Sequence, residues 1–244
     1  MKAMVLAAGL GTRLRPLTND RPKALVEVAG RTLLDITLAR LREFGVREAI
    51  VNVHHYAEMI CEYLKARDNF GMRIEISRED VLLDTGGGLK KASWFFLHGG
   101  EQDPFLLHNV DVMSTIDFGR MARFHMEQGA LATLAVQERK TSRPLLFDRQ
   151  GELCGRRIGD GQIESARPAE SAQELAFAGI HVISPRIFSQ LSEDGVFSII
   201  PAYLRLAGSG EKIAGFRADD YKWRDLGRPE HVKQAELEMR DASS

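Results

Sequence analysis

Two periodicities take turns along the chain. Short, nearly continuous apolar runs at 4–8, 49–53 and 104–108, with a further strand at 72–76, alternate with stretches at 33–44, 56–66 and 89–97 whose apolar positions recur every three to four residues. The first pattern predicts strands buried on both faces, and the second predicts amphipathic helices packed over them. Gly45, just past the last apolar position of the first helical stretch, marks its end. Repetition of strand, helix and strand is the grammar of a parallel sheet with right-handed crossovers, whose ligands bind beyond the carboxyl ends of the strands. The loop after residue 8, the residues after Val53 and the segment 109–111 are therefore expected on one rim.

Beyond a helix predicted at 118–128 the texture changes. Short strands are predicted at 131–136, 144–147 and 153–157, with Asp148, Arg149, Gln150 and Gly151 forming a hairpin turn. The polar residues 159–175, rich in Gly, Ser and Glu, are expected as a surface loop over the site. The pattern then predicts a strand at 177–183, helices at 187–191 and 199–206, a strand at 212–216, a last helix at 229–239 and a fraying tail at 240–244. No repeat, low-complexity tract or linker interrupts the sequence, so a single α/β domain is expected over 1–244.

Composition narrows the function. With 244 residues, 44% hydrophobic and 27% charged, the chain can bury a substantial core. Its 33 Lys plus Arg against 34 Asp plus Glu leave a net charge of -1, so no global positive field draws it to nucleic acid or to an anionic membrane. The first residues run straight into a strand pattern without the features of a signal peptide, and no apolar run reaches membrane-spanning length. Cys61 and Cys154 lie far apart and outside any CxxC spacing, which speaks against a disulfide framework and a structural zinc site. A cytoplasmic enzyme with neither nucleic acid nor membrane as partner is expected, and its oligomeric state is not legible here.

The candidate chemistry starts after the first strand, in Gly9, Leu10, Gly11, Thr12, Arg13, Leu14, Arg15 and Pro16, followed by Pro22 and Lys23. A dinucleotide fingerprint needs a third glycine where Leu14 stands, and Pro16 interrupts the helix that should follow. The string of a Walker P-loop is absent. Two readings stay open: a triphosphate cradle with glycine amides near the oxygens and Arg13 and Lys23 supplying charge, or a flexible surface turn with solvated cations.

The segment LAAGLGTRLRPLTNDRPKALVEVAG, residues 6–30, resembles the signature of the sugar-1-phosphate nucleotidyltransferases. The resemblance implies a Rossmann-like, GT-A-like single domain. Its mixed, mainly parallel sheet would be flanked by helices, with a nucleotide-binding core over about 1–130 and a small β-rich sugar lobe and C-terminal helix over 131–244. It also implies that Arg13 and Lys23 act on the phosphates as catalytic cations. Leu6, Ala7, Ala8, Gly9, Gly11, Thr12 and Asn109 would surround the nucleotide, with Ala7, Ala8 and Gly9 flanking the base.

Magnesium on a triphosphate takes only one or two protein carboxylates. Asp111 follows the strand at 104–108, and Asp225 lies in WRDLGRPE before the last helix. An aspartate at a strand end is also an ordinary cap or turn residue. In the resembled family, however, an aspartate of a GD pair and a later WxDxGTPE segment hold the metal, which assigns Mg²⁺ to Asp111 and Asp225. Val110 occupies the usual glycine position, and its side chain is expected to narrow the space near the ribose or metal.

Asp84, Thr85, Gly86, Gly87, Gly88 and Leu89 open a helical stretch, and the glycines leave room for something flat or simply make a flexible turn. In the family this segment lines the nucleobase pocket, which assigns Thr85, Gly86 and Gly87 to the nucleotide. The TGGG form resembles members that uridylylate N-acetylmuramate 1-phosphate. Phe177, Ala178, Gly179, Ile180 and His181 resemble the family's FxGI segment beside the sugar, although a plain buried strand explains Phe177 and Ile180 as well. The Glu-Lys pair that grips the sugar phosphate in many relatives is missing. Arg143 is its best substitute, with a solvated hairpin arginine as the alternative. His54, with no ligand spacing around it, is expected as a satisfied strand-end histidine.

Together these features imply an enzyme in which the sugar 1-phosphate attacks an NTP, most simply UTP, and pyrophosphate leaves. Guanylylation of mannose or heptose 1-phosphate is the neighbouring alternative. An inactive nucleotide-sensing homologue is the alternative from a different class.

Overall fold

The computed structural model describes residues 1–98, 103–159 and 161–241. Its first half contains β1 (Ala3–Leu6), β2 (Glu27–Val28), β3 (Arg31–Thr32), α1 (Leu33–Glu43), β4 (Glu48–Val53), α2 (Ala57–Ala66), β5 (Arg73–Arg78), α3 (Asp84–Lys91), α4 (Ser93–Leu97), β6 (Phe105–Asn109), β7 (Val112–Ser114) and α5 (Phe118–Gln128). The second half contains β8 (Ala132–Gln137), β9 (Leu145–Phe147), β10 (Leu153–Ile158), β11 (Gln162–Ser165), β12 (Gln173–Ile183), α6 (Ile199–Gly208), β13 (Ile213–Arg217), β14 (Trp223–Asp225) and α7 (Pro229–Asp241).

One mixed sheet runs in the order β11, β10, β9, β12, β6, β1, β4, β5, with β8 beside β12 and β13 beside β8. β1 pairs in parallel with β4 and β6, and β4 pairs in parallel with β5, as the alternation of strands and helices dictates. The unbroken apolar runs have a direct cause. In β1, Ala3 and Val5 face one core while Met4 faces the other; in β4, Val51 and Ile50 divide the same way. A strand covered on both faces has no polar side to show. α1, α2, α5 and α7 cover the first core, and α3, α4 and α6 cover the second.

Local chemistry fixes the helix ends. The Thr32 hydroxyl accepts from the Asp35 amide to cap α1, and the Asp117 carboxylate accepts from the Arg120 amide to cap α5. Gly129 follows α5 at φ 58°, a left-handed stop.

The structure departs from the sequence pattern in four places. Residues 159–175 are not one loop: β11 pairs antiparallel with β10, and β12 already begins at Gln173. β11 is an exposed edge strand held partly by the Arg156–Glu164 ion pair, so it carries no apolar signal. The helix expected at 187–191 is a 3-10 turn, Pro185–Ser189. The helix expected at 89–97 starts earlier and divides into α3 and α4 at Ala92. The pattern also gave no sign of the small hairpin β2–β3 or of the long-range two-stranded pairing β7–β14. Of the tail at 240–244, residues 242–244 lie outside the described residues.

β12 bends across the middle of the sheet. Its start pairs with β9 and its end with β6, and its register against β8 shifts between Phe177 and His181. Gly179 sits in that shift at φ +74°, and a Cβ there would come within 2.9 Å of Asn109 Nδ2 and Val112 Cγ2. Glycine lets this strand lie directly on the rim of β6.

Candidate active site

The loop after β1 is anchored by Leu14, which is fully buried at the end of a 3-10 turn, Thr12–Leu14. Gly11 enters that turn at φ +65°, and its carbonyl accepts from the Thr18 hydroxyl at 2.8 Å. A Cβ on Gly11 would meet Thr18 Cγ2 at 3.0 Å and Lys23 Cβ at 3.1 Å, so this glycine draws the loop onto the second turn, Lys23–Leu25. Ala24 and Leu25 go into the core, and Lys23 is left facing the rim. Arg13 and Lys23 thereby reach one cavity of about 410 Å³ at the carboxyl ends of β1, β4 and β6.

Leu6, Ala8, Gly9, Thr85 and Asn109 line that cavity with the two cations, while Ala7, Gly11 and Thr12 do not. The Ala7 amide points sideways and donates to Asn52 Oδ1 at 2.7 Å. Asn52 Nδ2 donates to Glu79 Oε1 at 2.7 Å, and Glu79 Oε2 accepts from the Leu83 amide at 2.9 Å. This buried relay locks the ends of β1, β4 and β5 to the approach of α3, and both side chains border the cavity. Sequence reasoning passed over Asn52 and Glu79. The available signal was Asn52 itself, a polar residue inside an otherwise apolar strand.

The second glycine cluster needs correcting. Gly86, Gly87 and Gly88 lie inside α3, and Gly86 and Gly87 do not line the cavity. A Cβ on Gly86 would lie 2.3 Å from the Phe197 ring, one on Gly87 2.3 Å from the Gly195 carbonyl oxygen, and one on Gly88 2.8 Å from Glu79 Oε1. The Gly86 and Gly87 amides both donate to the Phe197 carbonyl, at 2.9 and 3.1 Å. What lies flat against these glycines is the segment before α6. Thr85 joins the same contact, its hydroxyl accepting from the Ile199 amide at 3.0 Å as α6 begins. Asp84 and Thr85 alone from this cluster reach the cavity.

The two aspartates converge through the antiparallel pairing of β7 with β14. Asp225 pairs with Val112, and the Leu226 amide donates to the Asp111 carbonyl at 2.7 Å. Asp225 Oδ1 and Asp111 Oδ2 lie 2.7 and 3.3 Å from the point where a Gly227 side chain would begin, with Arg13 Nη2 at 3.1 Å from it. Glycine at 227 therefore keeps open a space faced by two carboxylate oxygens. That donor set fits Mg²⁺, which leaves its remaining positions to water and phosphate. Lys23 Nζ forms an ion pair with Asp111 Oδ2. Val110 does not narrow the site: its side chain is buried in the first core and borders neither cavity.

A second cavity, of about 750 Å³, shares Arg13, Asn109 and Asp111 with the first and adds Asp225, Arg143, Phe177 and Gly179. Its floor contains a residue missed from the sequence. The Arg139 guanidinium stacks 3.7 Å above the Trp223 ring, and Nη2 donates to the Phe177 carbonyl at 2.7 Å. Burial lowers the Arg139 pKa while the Asp225 charge opposes the shift. Trp223 Nε1 in turn donates to the Ala178 carbonyl at 2.7 Å, fixing the platform to β12. His54 stands apart, its Nδ1 bonded to the Glu79 carbonyl at 2.8 Å, as a satisfied strand-end residue.

The family model for nucleotidyl transferases matches residues 2–242. An N-acetylmuramate alpha-1-phosphate uridylyltransferase from Caulobacter vibrioides is 38% identical, over 98% of this chain and 97% of that protein. A probable mannose-1-phosphate guanylyltransferase from Oryza sativa subsp. japonica is 31% identical over 94% of this chain, which spans 62% of its length. Among solved structures, HddC from Yersinia pseudotuberculosis complexed with GMP-PN superposes with a TM-score of 0.76 at 21% identity, covering 98% and 99% of the two chains, a likeness of fold.

Proposed function

The chain belongs to the nucleotidyl transferase family, and we propose that it joins UTP to an N-acetylmuramate-like sugar 1-phosphate, releasing pyrophosphate. One observation carries the reaction type: Arg13, Lys23, Asp111 and Asp225 surround the wall shared by two adjoining cavities, one for each substrate. The choice of uridine and of the muramyl sugar is supported by the full-length likeness to the Caulobacter enzyme.

The sugar phosphate is itself the nucleophile, already anionic at neutral pH, so no activated side chain is required. One of its oxygens forms a bond to the α-phosphorus as the bond to the bridging oxygen breaks, and pyrophosphate leaves with that electron pair. Catalysis then rests on alignment and charge neutralisation. Arg13 faces both cavities and offsets charge on the reacting and leaving phosphates. Lys23 exchanges Asp111 for a phosphate oxygen. Asp111 and Asp225 would hold Mg²⁺, which when bound would add to the neutralisation of the triphosphate charge. Leu6, Ala8, Gly9, Thr85 and Asn109 bound the nucleotide, with Asn52 and Glu79 bracing the base end. Arg143 and Arg139 receive the sugar phosphate over Phe177 and Gly179.

The test is a pyrophosphate-release matrix of the four NTPs against N-acetylmuramate, N-acetylglucosamine, glucose and mannose 1-phosphates. UTP with an N-acetylated sugar is expected to give the highest turnover. A maximum for GTP with mannose 1-phosphate would overturn the base and sugar assignment, and no release from any pair would overturn the activity.

A further inference from the structure

A third cavity, of about 430 Å³, adjoins the sugar-phosphate cavity and shares Thr141, Arg143 and Phe177 with it. It lies beyond the sugar-phosphate position, between β9, β10 and the start of α6. The strand register determines its chemistry. Leu145, Arg156 and Glu164 are cross-strand partners and so share one face, and period-two alternation adds Ile158 to that face. Arg156 is thus a cation set beside Leu145, Phe177 and Ile200, in a lining whose other polar members include Thr141, Arg143, Arg157 and Ser198.

Its pairing leaves it available. Arg156 Nε donates to Glu164 at 2.6 Å, and its two terminal nitrogens donate to no described residue. Arg143, at the mouth, has no carboxylate partner among the described residues. Arg157, by contrast, is fully engaged by Glu174 and the Gly161 carbonyl. The third element is the start of α6, which opens on the cavity through Ser198 and Ile200 and presents the positive end of a ten-residue helix. A guanidinium, a second arginine at the entrance and a helix amino terminus, set among aliphatic and aromatic side chains, match a small group that is apolar along one side and anionic at its tip.

We infer that this cavity is a subsite for a carboxylate carried by the sugar, with Arg156 as the residue that reads it and Arg143 assisting at the entrance. The ligand class is an N-acetylated amino sugar 1-phosphate bearing a carboxyalkyl ether, such as the lactyl group that distinguishes N-acetylmuramate from N-acetylglucosamine. The inference rests on the sugar-phosphate reading above and adds what selects among sugars.

The test compares N-acetylmuramate 1-phosphate with N-acetylglucosamine 1-phosphate, which differ only by the lactyl ether, in the wild type, Arg156→Gln and Arg156→Lys. Calorimetric binding is measured beside steady-state turnover with UTP. The wild type is expected to bind the carboxylated sugar at least tenfold more tightly, and Arg156→Gln is expected to remove most of that preference. Arg156→Lys should restore part of it, which a purely structural role would not predict. Equal wild-type affinity for the two sugars overturns the subsite, as does a parallel loss for both in Arg156→Gln. Binding preference without uridylyl transfer would overturn the proposed reaction and leave the subsite standing, so the two failures are distinguishable.

Discussion

Replacing Gly87 by alanine separates packing from base contact at the glycine cluster. In a helix interior alanine is favoured over glycine by about 0.5–1 kcal/mol, so propensity alone predicts a stabilised α3. The structure predicts the opposite. The new Cβ would lie 2.3 Å from the Gly195 carbonyl oxygen and 3.0 Å from Leu83 Cβ, and the first of these is backbone with no rotamer to yield. Overpacking of this kind costs roughly 1–3 kcal/mol. Moving the 195–197 segment away strains the hydrogen bonds from the Gly86 and Gly87 amides to the Phe197 carbonyl, each worth about 0.5–1.5 kcal/mol. The net effect is a destabilisation of about 2 kcal/mol, or a fall in Tm of about 4–8 °C for a domain of this size. Thermal melting followed by circular dichroism is the assay. Gly9→Ala is the control, since a Cβ there meets nothing within 4 Å. A Gly87→Ala protein melting at or above the wild-type temperature would refute the packing argument. If, in addition, its KM for UTP rose, the glycine would face the base after all.

Three further outcomes follow from the geometry. Asp225→Asn keeps the hydrogen bond to the Gly227 amide but removes the negative charge proposed to hold Mg²⁺, so Mg²⁺-dependent pyrophosphate release should fall by about two orders of magnitude or more at unchanged Tm; near wild-type release would overturn the proposed metal role of Asp225. Thr85→Val deletes the acceptor for the Ile199 amide at the start of α6 and should cost about 1 kcal/mol in urea unfolding, whereas no loss would mean that the cap contributes nothing. Burial, with a smaller contribution from Arg186, pushes the His125 imidazole down to about 4 from its ordinary 6.5. The unfolded chain therefore takes up the proton first. Stability is full above pH 6.5 and falls towards pH 4 by up to ~1.4 kcal/mol per pH unit for this residue. His108, also buried and lowered to about 4, acts in the same direction, and a flat urea-unfolding profile between pH 7 and 5 would contradict both.

The parallel half of the fold was legible because its signal is local. β1, β4 and β6 are sandwiched between two cores, and most positions along them are apolar whichever face they serve, with polar residues such as Asn52 and Asn109 near their carboxyl ends at the rim. The convergence of Arg13 and Lys23 on one cavity was legible for a similar reason, since Gly11 and both cations lie within one short segment. β11 was not legible, because an exposed edge strand buries nothing and is defined by its partner β10. Arg139 was missed because its meaning is a stack on Trp223, a residue far along the chain.

What the sequence determined by itself is which residue types stand beside one another along the chain: the alternation of strands and helices, the cation-bearing loop, and two aspartates far apart in the chain. Only the tertiary structure decided what those residues face. It turned Gly86 and Gly87 from a candidate base platform into a seat for the segment before α6, and it placed Val110 in the core, away from the two aspartates. It also joined Asp111 to Asp225 through the long-range pairing of β7 with β14 and set Arg156 on the face of Leu145. The physical reason is that side-chain direction and cross-strand register arise from contacts between segments distant in sequence, which local periodicity does not contain.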